Sequence, residues 1–254
     1  MDVVVLAKHV PDPQGTPELG EDFLLRREGV DGALDPGDEY PLEAALRITE
    51  YHGGEVTVVS MGPEPAMTAI RRALSMGAHR AVLITDPALR GADALVTARV
   101  LASAVRRQPF DLVLAGIEST DGYTGTLPMT VAELLGVPAA TFARRVEVND
   151  RIVRTERQTE EGYDVVECPL PAVVTVTAGA TEPRYPTLKG IMQAKQKPVE
   201  RLTAADLGLS PEELAPTQSV IAVEAAPQKA VGEIVQGDDA VTRVADFLAE
   251  AKVI

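Results

Sequence analysis

The residues best suited to chemistry lie in one short stretch, where Gly116, Gly122 and Gly125 are interleaved with Ser119, Thr120, Asp121, Thr124 and Thr126. The apolar run Asp111 to Ala115 leads into this loop and reads as a buried strand of a parallel sheet. A helix over Leu127 to Leu135 follows it. Strand, glycine-rich polar loop and helix start together make an anion site, because unpaired N–H groups and the positive end of the helix dipole converge there; phosphate is the expected guest. The same residues also fit an ordinary tight strand-to-helix turn. Neither the GxxxxGK phosphate loop nor the GxGxxG fingerprint is present. His9, Glu118 and Asp121 are of the types that do acid–base work, but they fall on different loops with no third partner, so no catalytic residue is assigned.

Such a loop needs a scaffold, and the hydropathy pattern supplies one. Val3 to Ala7, Glu55 to Ser60, Arg80 to Ile84 and Asp111 to Ala115 read as strands. Helices alternate with them: one with Asp38 as N-cap, Pro41 in its first turn and Gly53 and Gly54 as its stop, then Pro63 to Met76 and Ala92 to Arg107. This alternation predicts an α/β fold, a doubly wound, mostly parallel, Rossmann-like sheet with right-handed crossovers. Ligands of such sheets sit beyond the carboxyl ends of the strands, which here carry Ala7 with Lys8, Ser60 with Met61, Asp86, and Gly116. Between Asp22 and Leu34, Gly29 and Gly32 flank an expected hairpin turn. Beyond Pro138, four strand-like runs (ATFARRVEV, RIVRTERQ, YDVVE, AVVTVTA) follow with little intervening helix and a turn at Asn149 and Asp150. They predict antiparallel additions. Next comes EPRYPTLKGIMQAKQKPVE, with Lys189, Lys195 and Lys197 and a short helix near Leu188 to Lys195. The tail from Pro198 holds a strand-like Ser219 to Val223 and an amphipathic helix, Asp238 to Glu250, with Val241, Val244, Phe247 and Leu248 on one face. The expected organisation is a nucleotide-binding domain over 1–197 and a C-terminal arm over 198–254.

Composition narrows the function classes. With 254 residues, 45% of them hydrophobic, the chain can bury a proper core. Twenty-four Lys and Arg against 38 Asp and Glu give a net charge of -14, which disfavours nucleic acid or an anionic membrane as the main partner. The single cysteine, Cys168, has no partner for an internal disulfide, and beside Pro169 in a strand-like run it reads as a buried small hydrophobe. Three histidines make no zinc-type cluster, and no metal is expected. No apolar run approaches the ~20 residues of a membrane span, and the strand beginning directly after Asp2 leaves no room for a signal peptide. A cytoplasmic protein is expected.

Three segments carry a family resemblance. DPGDEYPLEAALR (Asp35 to Arg47) is similar to the N-P-aromatic-D-E-aromatic-A-L-E-x-A-L-R element of the beta subunit of electron-transfer flavoprotein. GIESTDGYTG resembles that family's loop, and GYDVVECPLPAVVTVTAGATEPRYPTLKGIMQAKQKP resembles its most recognisable stretch. The matches run in order over essentially the whole chain. Departures are Asp35 for the usual asparagine, Gly37 for an aromatic, Tyr123 for an aspartate and Thr126 for a glutamine.

The resemblance implies a heterodimer with an alpha subunit and one FAD at the subunit boundary. It implies an electron carrier, not an enzyme, serving acyl-CoA and related dehydrogenases, as in fatty acid β-oxidation, and delivering to a membrane quinone reductase. AMP takes the place of a second flavin in most members. By position its contacts fall on Leu6 and Ala7, on Asp35, Pro36, Gly37 and Asp38, on Met61, and on Gly116, Ile117, Glu118, Ser119, Thr120, Asp121, Gly122, Tyr123, Thr124, Gly125, Thr126 and Leu127. Of these, Thr124, Gly125 and Thr126 are best placed for phosphate. Dehydrogenase docking is implied for Arg184, Tyr185, Leu188, Ile191 and Met192, with Leu188 as the apolar anchor.

Duller readings stand beside these. Leu188 also reads as the first core residue of a short helix, and Lys195 and Lys197 as a solvated face. Arg184 either clamps a carboxylate at the subunit boundary or holds its own loop through backbone carbonyls. Among other functions, an ATP pyrophosphatase-like enzyme needs an SGGxDS loop after the first strand, where this chain has AKHVPDP. A nucleotide-binding stress-type sensor leaves LPAVVTV to IMxAKxK unexplained. A bifurcating flavoprotein with a second FAD in the AMP site remains open.

Overall fold

A computed structural model describes residues 1–224, 232 and 234–254. Its contacts divide the chain into two compact units, Met1–Ser219 and Val220–Ile254. In the first unit, β1 (Asp2–Leu6), β2 (His9–Pro11) and β3 (Gly32–Leu34) precede α1 (Pro36–His52), β4 (Glu55–Met61), α2 (Met67–Met76) and β5 (Arg80–Ile84). There follow α3 (Ala94–Arg106), β6 (Leu112–Gly116), α4 (Leu127–Leu135), β7 (Ala139–Asn149), β8 (Ile152–Gln158), β9 (Tyr163–Pro169) and β10 (Ala172–Val176). α5 (Leu188–Ala194), β11 (Val199–Leu202) and α6 (Pro211–Leu214) complete it.

Among the described residues one nine-stranded sheet runs β11-β5-β4-β1-β6-β10-β7-β8-β9, and β2 pairs with β3 in a second, small sheet. Strands β11 to β7 in that order are parallel, and β8 and β9 continue antiparallel. The expected doubly wound, mostly parallel α/β sheet is therefore observed. Two-residue alternation sends Val3, Val5, Val56 and Val58 into one core with α1 and α2. Val4, Leu6, Val59 and Val82 enter the other, with α3 and α4. Every residue of β6 is buried, as a central strand covered on both faces requires.

Four expectations are corrected. First, α1 starts earlier than Asp38. Asp35 is its N-cap, with Oδ1 accepting from the Gly37 N–H at 2.8 Å, and Pro36 follows it, so Asp38 lies inside the first turn and is buried. Second, β10 is no antiparallel addition: it pairs parallel with β6 (Val176 opposite Gly116) and with β7, and its five buried residues are of the central-strand kind. Third, the pairing before α1 joins β2 to β3, closing a long excursion over 12–31 in which Leu19 and Leu25 make one further bridge. Gly32 sits where a Cβ would lie 2.4 Å from the His9 ring, so it belongs in the strand and not in the turn. Fourth, Ser219 to Val223 forms no strand.

Residues 198–219, placed with the arm on sequence, fold in the first unit, where β11 adds to the sheet edge beside β5. The second unit contains α7 (Ala240–Glu250), whose Val241, Val244 and Phe247 are exposed. Residues 225–231 and 233 of the arm lie outside the described residues. No helix among the described residues is long and apolar enough to cross a membrane.

Candidate functional site

The sheet brings the carboxyl ends of β4, β1 and β6 side by side. Leu6 is level with Val59, and the Ala7 N–H donates to the Val59 carbonyl at 3.0 Å. Leu6, Ala7, Met61 and Gly116 thus gather along one edge, with the α1 start and the loop 117–126 above them.

Buried carboxylates hold that loop to the body. Asp35, fully buried, accepts at Oδ2 from the Thr120 N–H at 2.7 Å and the Thr120 hydroxyl at 2.9 Å, while Oδ1 caps α1. Asp38 accepts from the Lys8 N–H at 2.8 Å, and the Gly116 N–H also donates to it. A Cβ on Gly116 would lie 2.9 Å from Asp38 Oδ1 and 3.3 Å from the Gly37 carbonyl, which is why β6 ends in glycine. Burial and then the nearby Asp35 charge push the Asp38 carboxyl up to about 8, against the pull of the Lys8 and Gly116 amides. The site thus favours the protonated form of Asp38 toward neutral pH.

Asp121 has the opposite fate. Burial alone would raise its carboxyl, but the Lys8 ammonium at 2.7 Å, the Arg27 guanidinium and the Ser119 hydroxyl hold it below the usual carboxylate range. Lys8 also donates to Ser119 Oγ at 3.1 Å. The excursion over 12–31 is thereby tied to the loop through Arg27. His9 is held low by burial and by the Arg27 charge.

Past Asp121 the loop changes character. Tyr123 (φ 47°) and Gly125 (φ 62°) turn through the left-handed region, and Thr126 caps α4 without a side-chain bond. Asp121's neighbours Gly122 and Tyr123 donate to the Ser119 carbonyl, whereas the N–H groups of Thr124, Gly125, Thr126 and Leu127 find no acceptor among the described residues. A row of free amides at the positive end of a nine-residue helix has the chemistry to hold a small anion. The residues present are compatible with a mononucleotide: amides for its phosphate, and the half-buried Ala7 and Met61 as apolar edge for its base, while the Leu6 side chain is buried in the core and offers only backbone. Of the positions expected to touch it, Asp35 and Asp38 spend their carboxylates on the protein itself, leaving Pro36 and Gly37 as backbone. Ile117 and Glu118 lead out of the strand, and Glu118 is exposed. Among the described residues no group of three or more His, Cys, Asp or Glu is placed to hold a metal.

The segment 182–197 lies elsewhere, on α1 and α2. Tyr185, Leu188 and Met192 are 84%, 80% and 70% exposed, and Ile191 is exposed too, so Leu188 is no core residue. Among the described residues Arg184 does not hold its loop through backbone carbonyls. It binds carboxylates of its own chain, Glu43 and Glu50. Lys197 is not a solvated face either, since it donates to the Leu74 and Ala78 carbonyls at 2.9 and 2.6 Å and caps α2. Sequence reading missed Arg27, Glu43 and Glu50. The i, i+4 spacing of Glu43 and Arg47 was the one available signal, and nothing in the chain announced a partner 141 residues away.

The model of the electron transfer flavoprotein domain matches residues 22–207. The electron transfer flavoprotein subunit beta of Mycobacterium tuberculosis (strain ATCC 25618 / H37Rv) is 40% identical over 264 residues, covering 100% of this chain and 99% of its own. That of Bacillus subtilis (strain 168) is 36% identical over 258 residues, covering 100% of both. The caffeyl-CoA reductase-Etf complex subunit CarD of Acetobacterium woodii is 37% identical over 243 residues, covering 93% of this chain and 92% of its own. Full-length similarity at this level, with residues 116–127 and 182–197 both inside the matched region, settles kinship: the chain belongs to the electron transfer flavoprotein family, as a beta subunit, an electron carrier subunit.

Proposed function

We propose that this chain joins an electron-transfer flavoprotein alpha subunit, shares one FAD at their boundary, and holds AMP structurally in the loop 116–127. The heterodimer takes electrons from acyl-CoA and related dehydrogenases and passes them to a membrane quinone reductase, in the cytoplasm. FAD supplies the redox chemistry; this chain's residues bind, orient and dock. The observation that carries the nucleotide reading is the run of unpaired amides from Thr124 to Leu127. It offers one phosphate cradle, which suits AMP and leaves the FAD to be held mainly by the partner. Tyr185, Leu188, Ile191 and Met192 form the dehydrogenase-docking surface, because a cluster of exposed apolar side chains on a fixed backbone is what a protein partner's pocket selects. The apolar face of α7 packs on the alpha subunit.

A second reading places FAD in the nucleotide site as well, within a reductase assembly like the one named for the Acetobacterium relative. One experiment separates the two. Nucleotides extracted from the purified heterodimer are counted against protein: one AMP and one FAD supports the first reading, and two FAD without AMP the second. The absence of any adenine nucleotide beyond one FAD overturns both. The chain purified alone is expected to lack stoichiometric FAD, and a tight flavin on it would contradict the shared boundary site.

A further inference from the structure

We propose that Arg184 is a positioning residue: its ion pairs with Glu43 and Glu50 moor the docking segment on α1 in the posture that presents Tyr185, Leu188 and Met192. This rests on the docking reading above. Glu43 is 2% exposed, so its charge needs a partner inside the protein. Arg184 supplies it three times over: the backbone N–H at 3.2 Å, Nε at 2.7 Å and a terminal nitrogen at 3.1 Å. The rest of the guanidinium reaches both oxygens of Glu50. On the other side Arg47 donates to Glu43 Oε1 at 2.7 Å and to the Glu182 carbonyl at 3.2 Å. Residues 43, 47 and 50 share one face of α1, so the segment is gripped at 182 and at 184 by a single helix.

The far end is fixed independently. Thr187 caps α5 through the Gly190 N–H at 3.0 Å, and a Cβ on Gly190 would lie 2.4 Å from the Ser75 carbonyl, so α5 lies flush on α2. Arg71 donates to the Ala194 carbonyl. Between these moorings the exposed apolar residues have a set backbone, and a pre-ordered segment loses less entropy on docking. A lysine at 184 keeps the charge without the planar fork that spans two carboxylates.

The test uses the assembled heterodimer and an acyl-CoA dehydrogenase as reductant. Arg184→Gln and the double variant Glu43→Gln/Arg184→Gln, which leaves no buried unpaired carboxylate, are compared with Leu188→Ala. Both Arg184 variants should lower kcat/KM for the flavoprotein by about tenfold, with kcat at saturation and reduction by dithionite unchanged, and Arg184→Lys should recover part of the loss. Backbone amides of 182–192 should exchange with solvent faster. Combined with Leu188→Ala, the losses should not multiply, since both act through one contact. Unchanged kcat/KM and exchange in the double variant, alongside a tenfold loss in Leu188→Ala, overturns the positioning role alone. No loss in Leu188→Ala overturns the docking reading, and this role with it. Failure of the double variant to fold also overturns it, since the network is then a general stability element.

Discussion

Two segments hang from the same helix, and they differ in what holds them and in what they leave free. The loop 117–126 is moored at the start of α1 by Asp35 and, through Gly116, by Asp38, which accept backbone and hydroxyl hydrogens. The segment 182–192 is moored further along by Glu43 and Glu50, which accept from a guanidinium. The first mooring leaves amides unpaired, and the second leaves apolar side chains exposed. A buried carboxylate is thus the common device, and the chemistry of the free groups sets the guest proposed for each: a small anion in one case, a protein surface in the other.

Breaking the second mooring should give the largest effect on stability. Arg184→Gln leaves the buried Glu43 charge with Arg47 as its one remaining cationic partner and is expected to cost about 3 kcal/mol, read as a fall in the denaturant midpoint. Glu43→Gln in the same chain should restore most of that. Burial raises the Glu43 carboxyl, but the bonds from Arg184 and Arg47 more than offset it and keep it low; the charge is stable only in company.

The first mooring is exposed by pH. The Asp38 carboxyl sits at about 8 in the fold against 3.8 unfolded, so its contribution is full below the unfolded value and is lost as pH rises to 8. His9, held low, contributes in the opposite sense only below about 6.5, and the depressed carboxylates of Asp121, Glu43 and Asp93 act nearer pH 4. Between pH 6.5 and 8 stability should therefore fall by about 2 kcal/mol. Asp38→Asn should flatten that slope; urea unfolding at the two pH values checks it, and a slope that survives assigns the titration elsewhere.

Much of the scaffold was legible because burial on both faces writes itself as apolar runs: β5 and α4 fall on their expected boundaries, and β1, β4, β6, β7 and β10 within a residue or two, whereas β11, a four-residue edge strand with two exposed charged residues, was not foreseen. What failed had long-range causes. AVVTV reads alike whether it pairs parallel or antiparallel, and only the insertion of β10 between β6 and β7 decides. Asp35 and Asp38 both suit an N-cap, and the choice follows from Thr120, 85 residues on. The glycines of the loop were readable, but the moorings were not, since Arg27 and Arg184 look like any surface arginines until folding brings them to Asp121 and Glu43.

Smaller effects on stability sharpen the contrast in function. Gly125→Val forces a β-branched residue into a left-handed conformation, with a strain of about 1–2 kcal/mol, and it crowds the amides proposed to hold phosphate. Leu188→Ala removes an exposed side chain and should shift the melting temperature hardly at all, whereas a core leucine would cost about 2–5 kcal/mol.

These two substitutions, made in the heterodimer and assayed together for bound AMP and for kcat/KM of reduction by an acyl-CoA dehydrogenase, test the separation of the two segments most directly. The predicted result is crossed: Gly125→Val loses AMP and keeps its reduction rate where folded, while Leu188→Ala keeps AMP and loses about tenfold or more in rate. If both variants lose AMP and rate in parallel, or if Leu188→Ala is reduced as fast as the unaltered protein, the division of labour between the two moored segments is wrong.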